Sequence, residues 1–448
     1  MKSLLRFFND LKQYPSAIAS MVIILILLGI SVYTLVTIPY AEAVRLWRGG
    51  EDVWYQLPKT VPPAWVNSFS ATKLPDTIIL NTATDPSLKT GEEPSGDGKR
   101  INMEFTFDFP YDEFPQEMSL YLKAKYDEKA PFVSLTWFKP DGSKISLGNF
   151  SMQGATQNFR FSQDPKLKNR FGEVQPQEAL LAVKGSDPLQ VEKGQYKLQV
   201  QAITFEKESE INVEFIEYGK VYGIAGTDHM RRNLMVALLW GMPVALSFGL
   251  IAALGTSIAS MIIAAFGAWF GGWIDELIQR VTEINSVLPF LPILIMVGTF
   301  YSRSIFTILA VTILLSIFGL SIKNYRAIFL QVREMPYIEA ARAYGASNSR
   351  IILNYLVPRI IPLLVPGLVT GIPSYVFLEA SLSVLGLGDP VLPTWGKIIQ
   401  DAEFNGALYQ GMYYWVMEPA ILLMITGLAF SMLGFALDRI FNPRLRGM

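Results

Sequence analysis

At 448 residues, with 51% hydrophobic and 17% charged side chains and a mean hydropathy of +0.30, the chain is too apolar for an ordinary soluble enzyme and too charged to be membrane throughout. A net charge of −1 excludes bulk attraction to nucleic acid, and the lack of cysteine excludes disulfides, thiolate metal sites and a Cys nucleophile. The single histidine, His229, leaves no basis for a His-built metal centre or a Ser-His relay, so neither catalytic nor metal-ligating residues are expected.

Lys2, Arg6 and Lys12 precede an apolar run from about Ser16 to Ile38. A secretory signal core is about 7–15 residues, whereas this run is long enough to cross roughly 30 Å of hydrocarbon. It reads as a retained anchor with its N-terminus in the cytoplasm. After Pro39 no stretch from Glu42 to about Tyr222 is apolar for long enough to span a bilayer. Its pattern is strand-like, with Ile101–Phe109, Ser119–Lys125 and Tyr196–Ala202 alternating at period two. Lys139-Pro-Asp-Gly142 separates Phe132–Phe138 from Lys144–Leu147 as a tight reversal. A β-sandwich is expected, with Thr82 to Arg100, rich in Gly, Pro and charge, as an exposed loop.

Apolar material returns from about Leu234, with helices expected at roughly Val244–Phe270, Val287–Tyr301, Ile305–Ile322, Ile360–Leu387 and Trp415–Leu437. With the anchor these make six crossings, so both termini fall in the cytoplasm. The basic residues agree. Lys2, Arg6, Lys12, Arg280, Lys323, Arg326, Arg333, Arg342, Arg350, Arg359, Arg439, Arg444 and Arg446 fall on the inner sides, against only Arg303 and Lys397 in short outer loops. That bias puts the β-rich region outside.

The long inner connection, residues 323–359, contains a short helix with both ends marked. Pro336 suits its first turn, Glu339 lies near the positive end of its dipole, and Gly345 is placed for a left-handed C-terminal cap. Ala340 and Ala341 are expected to make one face smooth enough for another protein to approach closely. Glu339-Ala340-Ala341, Gly345 and Pro358 together resemble the coupling loop of binding-protein-dependent ABC importer permeases, although Tyr355 and Val357 stand where that family usually has Ile and Leu.

The resemblance covers roughly residues 1–40 and 223–448 and narrows further. Gly226-Thr-Asp228, Gly271-Gly-Trp273 with Asp275, Glu379 through Gly386 and Gly388, Pro393-Thr-Trp-Gly396 and Leu437 through Pro443-Arg444 look like the second permease of dipeptide, oligopeptide and nickel importers. One departure is that Arg231-Arg232-Asn233 stands where the usual pattern has Gly-Arg-Asp. The large insertion between the first two crossings is longer than most of the class carries, so its role does not transfer.

This resemblance implies an all-α membrane domain of six transmembrane helices, with residues 41–222 as an inserted extracytoplasmic β-rich domain between residues 1–40 and the permease core 223–448. It implies a multi-pass protein of a bacterial or archaeal inner membrane, and a path for peptides delivered by an external substrate-binding protein. Its partners would be a second, different permease in a heterodimer, two cytoplasmic ATPase subunits holding ATP and Mg, and the lipid bilayer, with Pro336, Glu339, Ala340, Ala341 and Gly345 coupling to the ATPase. No Gly-x-x-x-x-Gly-Lys-Ser/Thr loop occurs in the sequence, so ATP hydrolysis falls to a partner.

Glu379 is a carboxylate well inside a crossing, and either lines the path or fixes helix packing. Pro366 and Pro373, with Pro358 and Pro362, recur along the same crossing, where kinks suit a gated passage. Gly267–Gly271 and Gly367–Gly371 have a spacing that lets helix backbones touch. Oligosaccharides or nickel are alternative cargoes within the class. From a different class, a membrane-anchored receptor or adhesion protein would need one crossing rather than six, and no capped inner helix.

Overall fold

The computed structural model describes residues 14–441. Lys2, Arg6, Lys12, Pro443, Arg444 and Arg446 lie outside the described residues. Contacts divide the chain into two compact units, residues 49–235 and the remainder.

The first unit is built from antiparallel pairs in two sheets, ordered β1-β9-β4-β7 and β2-β3-β8-β5-β6. The strands are β1 (Ile78–Asn81), β2 (Lys89–Ser95), β3 (Gly98–Phe109), β4 (Glu117–Lys125), β5 (Phe132–Phe138), β6 (Lys144–Ser151), β7 (Thr156–Arg160), β8 (Gly194–Ile203) and β9 (Glu210–Tyr218). Period-two alternation sends Ile101, Met103, Phe105, Phe107 and Phe109 of β3, and Tyr196, Leu198, Val200 and Ala202 of β8, into the shared core. Aromatic rings fill its centre: Phe107 lies 5.6 Å from Phe215 and 5.9 Å from both Trp137 and Tyr196, ring centre to ring centre. The Lys139–Gly142 reversal forms, with the Gly142 amide donating to the Lys139 carbonyl at 3.0 Å and Gly142 at φ +81°.

The expected loop over Thr82–Arg100 is instead a hairpin. Residues Lys89–Ser95 pair with Gly98–Met103 across a turn at Gly96-Asp97, with Gly96 at φ +64°. β2 is an edge strand, and an edge needs few apolar residues. Glu92, Glu93 and Pro94 keep its free side unattractive to a further strand.

In the helical unit, α1 (Pro15–Thr37) is an apolar span, and α2 (Tyr40–Arg48) is a short helix that buries Ala43 and Trp47. Ala43 packs with Trp240, Val244 and Leu392 of the same unit. Then follow α3 (Leu234–Phe270), α4 (Gly272–Val287), α5 (Phe290–Phe300), α6 (Ile305–Ile317), α7 (Leu320–Arg333), α8 (Pro336–Ala343), α9 (Asn348–Leu387), α10 (Trp395–Phe404) and α11 (Tyr413–Phe441). Among the described residues α1, α3, α9 and α11 are each long and apolar enough to cross a membrane.

Two further expected crossings are bent pairs: α4 and α5 meet at 77°, α6 and α7 at 45°. Pro289 explains the first break, because its ring forces Leu288 out of the helical region, to φ −66° and ψ +132°. α5 has only 11 residues, about 16 Å at 1.5 Å per residue, and cannot span alone as the expected Val287–Tyr301 helix was to do. α11 starts at Tyr413, two residues before the expected Trp415, and carries Pro419 inside it.

α11 packs along α9 and α1. A methyl group added to Gly427 would stand 2.7 Å from the Phe377 ring, and one on Gly434 would stand 2.3 Å from Thr370 Cγ2. These two glycines form the close seam. Gly367 and Gly371 do not, since among the described residues no atom beyond their own helical turn lies within 4 Å of a Cβ built at either position.

Candidate functional site

α8 begins with Pro336 in its first turn and ends as the sequence requires. Gly345 adopts φ +78°, its amide donating to the Arg342 carbonyl at 2.9 Å, while the Ala346 amide returns to the Ala341 carbonyl at 3.0 Å. Ile338 and Ala341 are buried against a core containing Met261, Trp269, Phe329, Val332 and Ile351, drawn from α3, α7 and α9. The two alanines therefore do not share a face. At 100° per residue Ala341 turns inward while Ala340, Pro336, Tyr337 and Glu339 stay exposed, joined by Tyr344 at 92% exposure.

The base under α8 is itself pinned. Asp275, in the first turn of α4, accepts two hydrogen bonds from the Arg326 guanidinium at 2.7 and 2.5 Å. Arg333 Nη1 donates to the Ala268 carbonyl at 2.8 Å, and the Arg342 guanidinium lies 4.6 Å from the centre of the Trp269 ring. A short helix unstable alone in water is thus held as one body with α3, α4 and α7.

Glu379 lies buried on α9 and accepts the Ser383 hydroxyl at 2.9 Å, with Thr394 a second hydroxyl partner. A cavity of about 10 Å³, room for about one water, adjoins it, lined also by Arg303, Ser383 and Asp389. Asp389 accepts the Ile305 and Val391 amides at 2.9 and 2.8 Å, stitching α6 to the loop after α9. Glu379, Pro366 and Pro373 are all buried in the packing of this chain.

A family model for binding-protein-dependent transport system inner membrane components matches residues 256–447. A putative peptide transport system permease protein of Brucella suis is 33% identical over 223 residues, covering 49% of this chain and 73% of that protein. The chain belongs to this family. The dipeptide transport system permease protein DppC of Bacillus subtilis is 27% identical over 222 residues, which cover 49% of this chain and 68% of that one. The peptidoglycan transport system permease protein YejE of Agrobacterium fabrum is 30% identical over 188 residues, 40% of this chain and 47% of that one. The solved structure of TmCBM61 in complex with beta-1,4-galactotriose aligns over 36% of this chain and 94% of its own at 11% identity, with a TM-score of 0.17, too low to carry an argument.

In the permease the motif glycines serve two needs: Gly226, Gly271, Gly272 and Gly386 adopt left-handed backbone at φ +71°, +62°, +54° and +89°, while Gly396, like Gly241 outside the motifs, permits close approach. A Cβ on Gly396 would stand 2.6 Å from Ser383 Cβ and 2.7 Å from the Ala380 backbone, and one on Gly241 would stand 2.3 Å from the Trp395 indole, whose Nε1 donates to the Leu238 carbonyl. Gly226-Thr-Asp228 is likewise structural. Asp228 is fully buried and accepts the Arg232 and Met230 amides at 2.9 Å and Arg232 Nε at 2.5 Å. Arg231 sits at φ +65°, the left-handed geometry for which glycine is the natural choice, and its guanidinium donates to the Leu57 carbonyl at 2.6 Å and covers the Tyr218 ring at 4.5 Å.

Sequence reasoning missed Asn285 and Ser260. Asn285 Nδ2 donates to the Leu315 and Phe318 carbonyls at 2.9 and 3.1 Å, and Ser260 Oγ to the Ile317 carbonyl at 2.6 Å. These are carbonyls that the break between α6 and α7 would otherwise leave open. Ser260 belongs to a small set of hydroxyls, with Ser247, Thr256 and Ser257, in an apolar helix, which was the available signal for it; Asn285 sits among Arg280, Thr282 and Glu283 in a polar helix, where nothing set it apart.

Proposed function

We propose that this permease is one of two different permease subunits of an ATP-driven peptide importer of the plasma membrane. It crosses the bilayer six times, counting each bent pair as one span, with both termini in the cytoplasm and the β unit on the outer side. A separate binding protein delivers peptide from outside, and two cytoplasmic ATPases bind ATP with Mg and supply the energy. The peptide assignment rests on the similarity to dipeptide and peptide permeases.

The observation that carries the reading is the construction of α8. Its packed face is anchored by Ile338 and Ala341, and its opposite face leaves Tyr337, Glu339, Ala340 and Tyr344 exposed among the described residues. A rigid knob on a rigid base is what a coupling helix needs, because movement of a docked ATPase then reaches the spans without being absorbed locally. Glu379, Pro366 and Pro373 serve packing in this subunit, and the path is formed between it and its partner.

The test is transport by the assembled importer in vesicles. Gly345→Val meets no neighbour but must adopt a left-handed backbone at a cost of about 1 kcal/mol, so the exit from α8 is redirected. Glu339→Lys reverses the exposed charge at the helix start. Both variants are expected to assemble with the partner permease and to lose uptake, with ATPase association weakened or hydrolysis uncoupled. Wild-type uptake and stimulation in both would remove α8 from the coupling route.

A further inference from the structure

Within the β unit, the outer face of the four-stranded sheet forms a groove of about 620 Å³, within the range of small-ligand sites. Register places its wall. Across the strands Tyr121 of β4 stands opposite Asn158 of β7 on one side and Glu214 of β9 on the other, and Glu214 stands opposite Asn81 of β1. That row spans three strand spacings, about 14 Å. One step along, Lys123 stands opposite Asn212, on the same face because it lies two residues from Tyr121.

Two tyrosine rings form its platform, and both are fixed by their hydroxyls. Tyr55 donates to Glu214 at 3.0 Å, Tyr121 shares a 2.9 Å bond with Tyr218, and Tyr218 in turn donates to the Tyr55 carbonyl at 2.5 Å. Glu214, 6% exposed, also accepts Gln56 at 2.7 Å and Asn81 at 3.1 Å. The rings, 4.9 Å apart, are held before any ligand arrives. Around them the side chains of Lys123, Asn158 and Asn212 make no hydrogen bond among the described residues.

We propose that this face binds a neutral oligosaccharide, whose C–H faces rest on Tyr55 and Tyr121 while its hydroxyls bond Asn158, Asn212 and Lys123. Fixed aromatic rings bordered by amides that both donate and accept suit a ligand with alternating apolar faces and hydroxyl rims. The floor of the groove, β4 and β9, is paired on both sides and offers no backbone groups, so an extended peptide could add only along the edge strands β1 or β7 and not across the tyrosine platform. Lys123 and Lys125 are balanced by Glu210 and Glu214 in the wall, so no charged class of ligand is selected. The assignment does not rest on the importer reading, since binding is measured without nucleotide or transport.

The experiment uses the full-length protein in lipid nanodiscs, titrated calorimetrically with β-linked hexasaccharides of glucose, galactose and N-acetylglucosamine, and with hexa-alanine. At least one saccharide is expected to bind and hexa-alanine not to. Tyr121→Ala should weaken binding about tenfold, as loss of one stacked ring implies. Because that change also removes the bond to Tyr218, the Asn158→Ala/Asn212→Ala double variant is the control that leaves the fold unchanged, and it should lower affinity about fivefold at unaltered melting temperature. The proposal is overturned if no saccharide binds, if the double variant binds like the wild type, or if hexa-alanine binds in the saccharides' place.

Discussion

Single side chains in the β unit carry conformational and solvation costs that the surrounding contacts must offset. Arg231 keeps a left-handed backbone that costs a residue with Cβ about 1 kcal/mol, in exchange for its bond to Leu57 and its cover over Tyr218. Arg231→Gly should therefore lose the contacts but shed the strain, whereas Arg231→Ala loses the contacts and keeps it. The expected order of stability is wild type, then Gly, then Ala, the last two about 1 kcal/mol apart by urea unfolding monitored at the aromatic core. Ala equal to or above Gly would contradict it. Glu217 is a second case: both its carboxylate oxygens are buried without a partner, and burial lifts its pKa to about 8. A raised carboxyl pKa means the folded state holds its proton after the unfolded chain has lost its own. Stability should then fall as pH rises from about 4.5 to about 8, by on the order of 4 kcal/mol, and level off above. Glu206 does not blur that window, because three backbone amides hold its carboxyl down at about 2 and its contribution is lost only in more acid solution. Melting temperatures at pH 5 and pH 8.5 should differ widely in the wild type and much less in Glu217→Gln.

The break between α6 and α7 is an element that survives in an apolar setting because Asn285 and Ser260 take up its open carbonyls. Asn285→Leu should leave two carbonyls unsatisfied and cost about 1–3 kcal/mol, seen as a lower melting temperature in detergent, while Asn285→Gln recovers part of the loss. An unchanged melt in Asn285→Leu would mean that water serves those carbonyls equally well. Sequence periodicity made much of the architecture legible: the alternation of β3, β4 and β8, the turn at Gly142 and the caps of α8 all lie where local chemistry demands them. β2 was not legible, since an edge strand with one neighbour needs no alternating apolar face. Ala341 was misjudged for the opposite reason, because adjacent residues on a helix diverge by 100° and only the packed core shows which one turns inward. The first bend was half-written in Pro289, but the angles of both depend on which neighbours can bond the broken backbone.

Across the whole molecule, the proposed topology rests on where charges fall, and the absence of cysteine makes it directly testable. Lys184→Cys in the β unit and Ser347→Cys beyond α8 both introduce an exposed thiol. A membrane-impermeant maleimide added to intact cells should label the first and not the second, and should reach both after permeabilisation. Labelling of Ser347→Cys in intact cells would invert the orientation and place α8 away from any cytoplasmic ATPase.

The glycine seam between α9 and α11 behaves as a keyway. A slide of one residue, about 1.5 Å, would bring a larger side chain opposite Phe377 or Thr370, where not even a methyl group has clearance. The two helices are thereby locked against sliding past one another, whereas the pairs α4–α5 and α6–α7, which pack against the same α9, are already jointed at their bends.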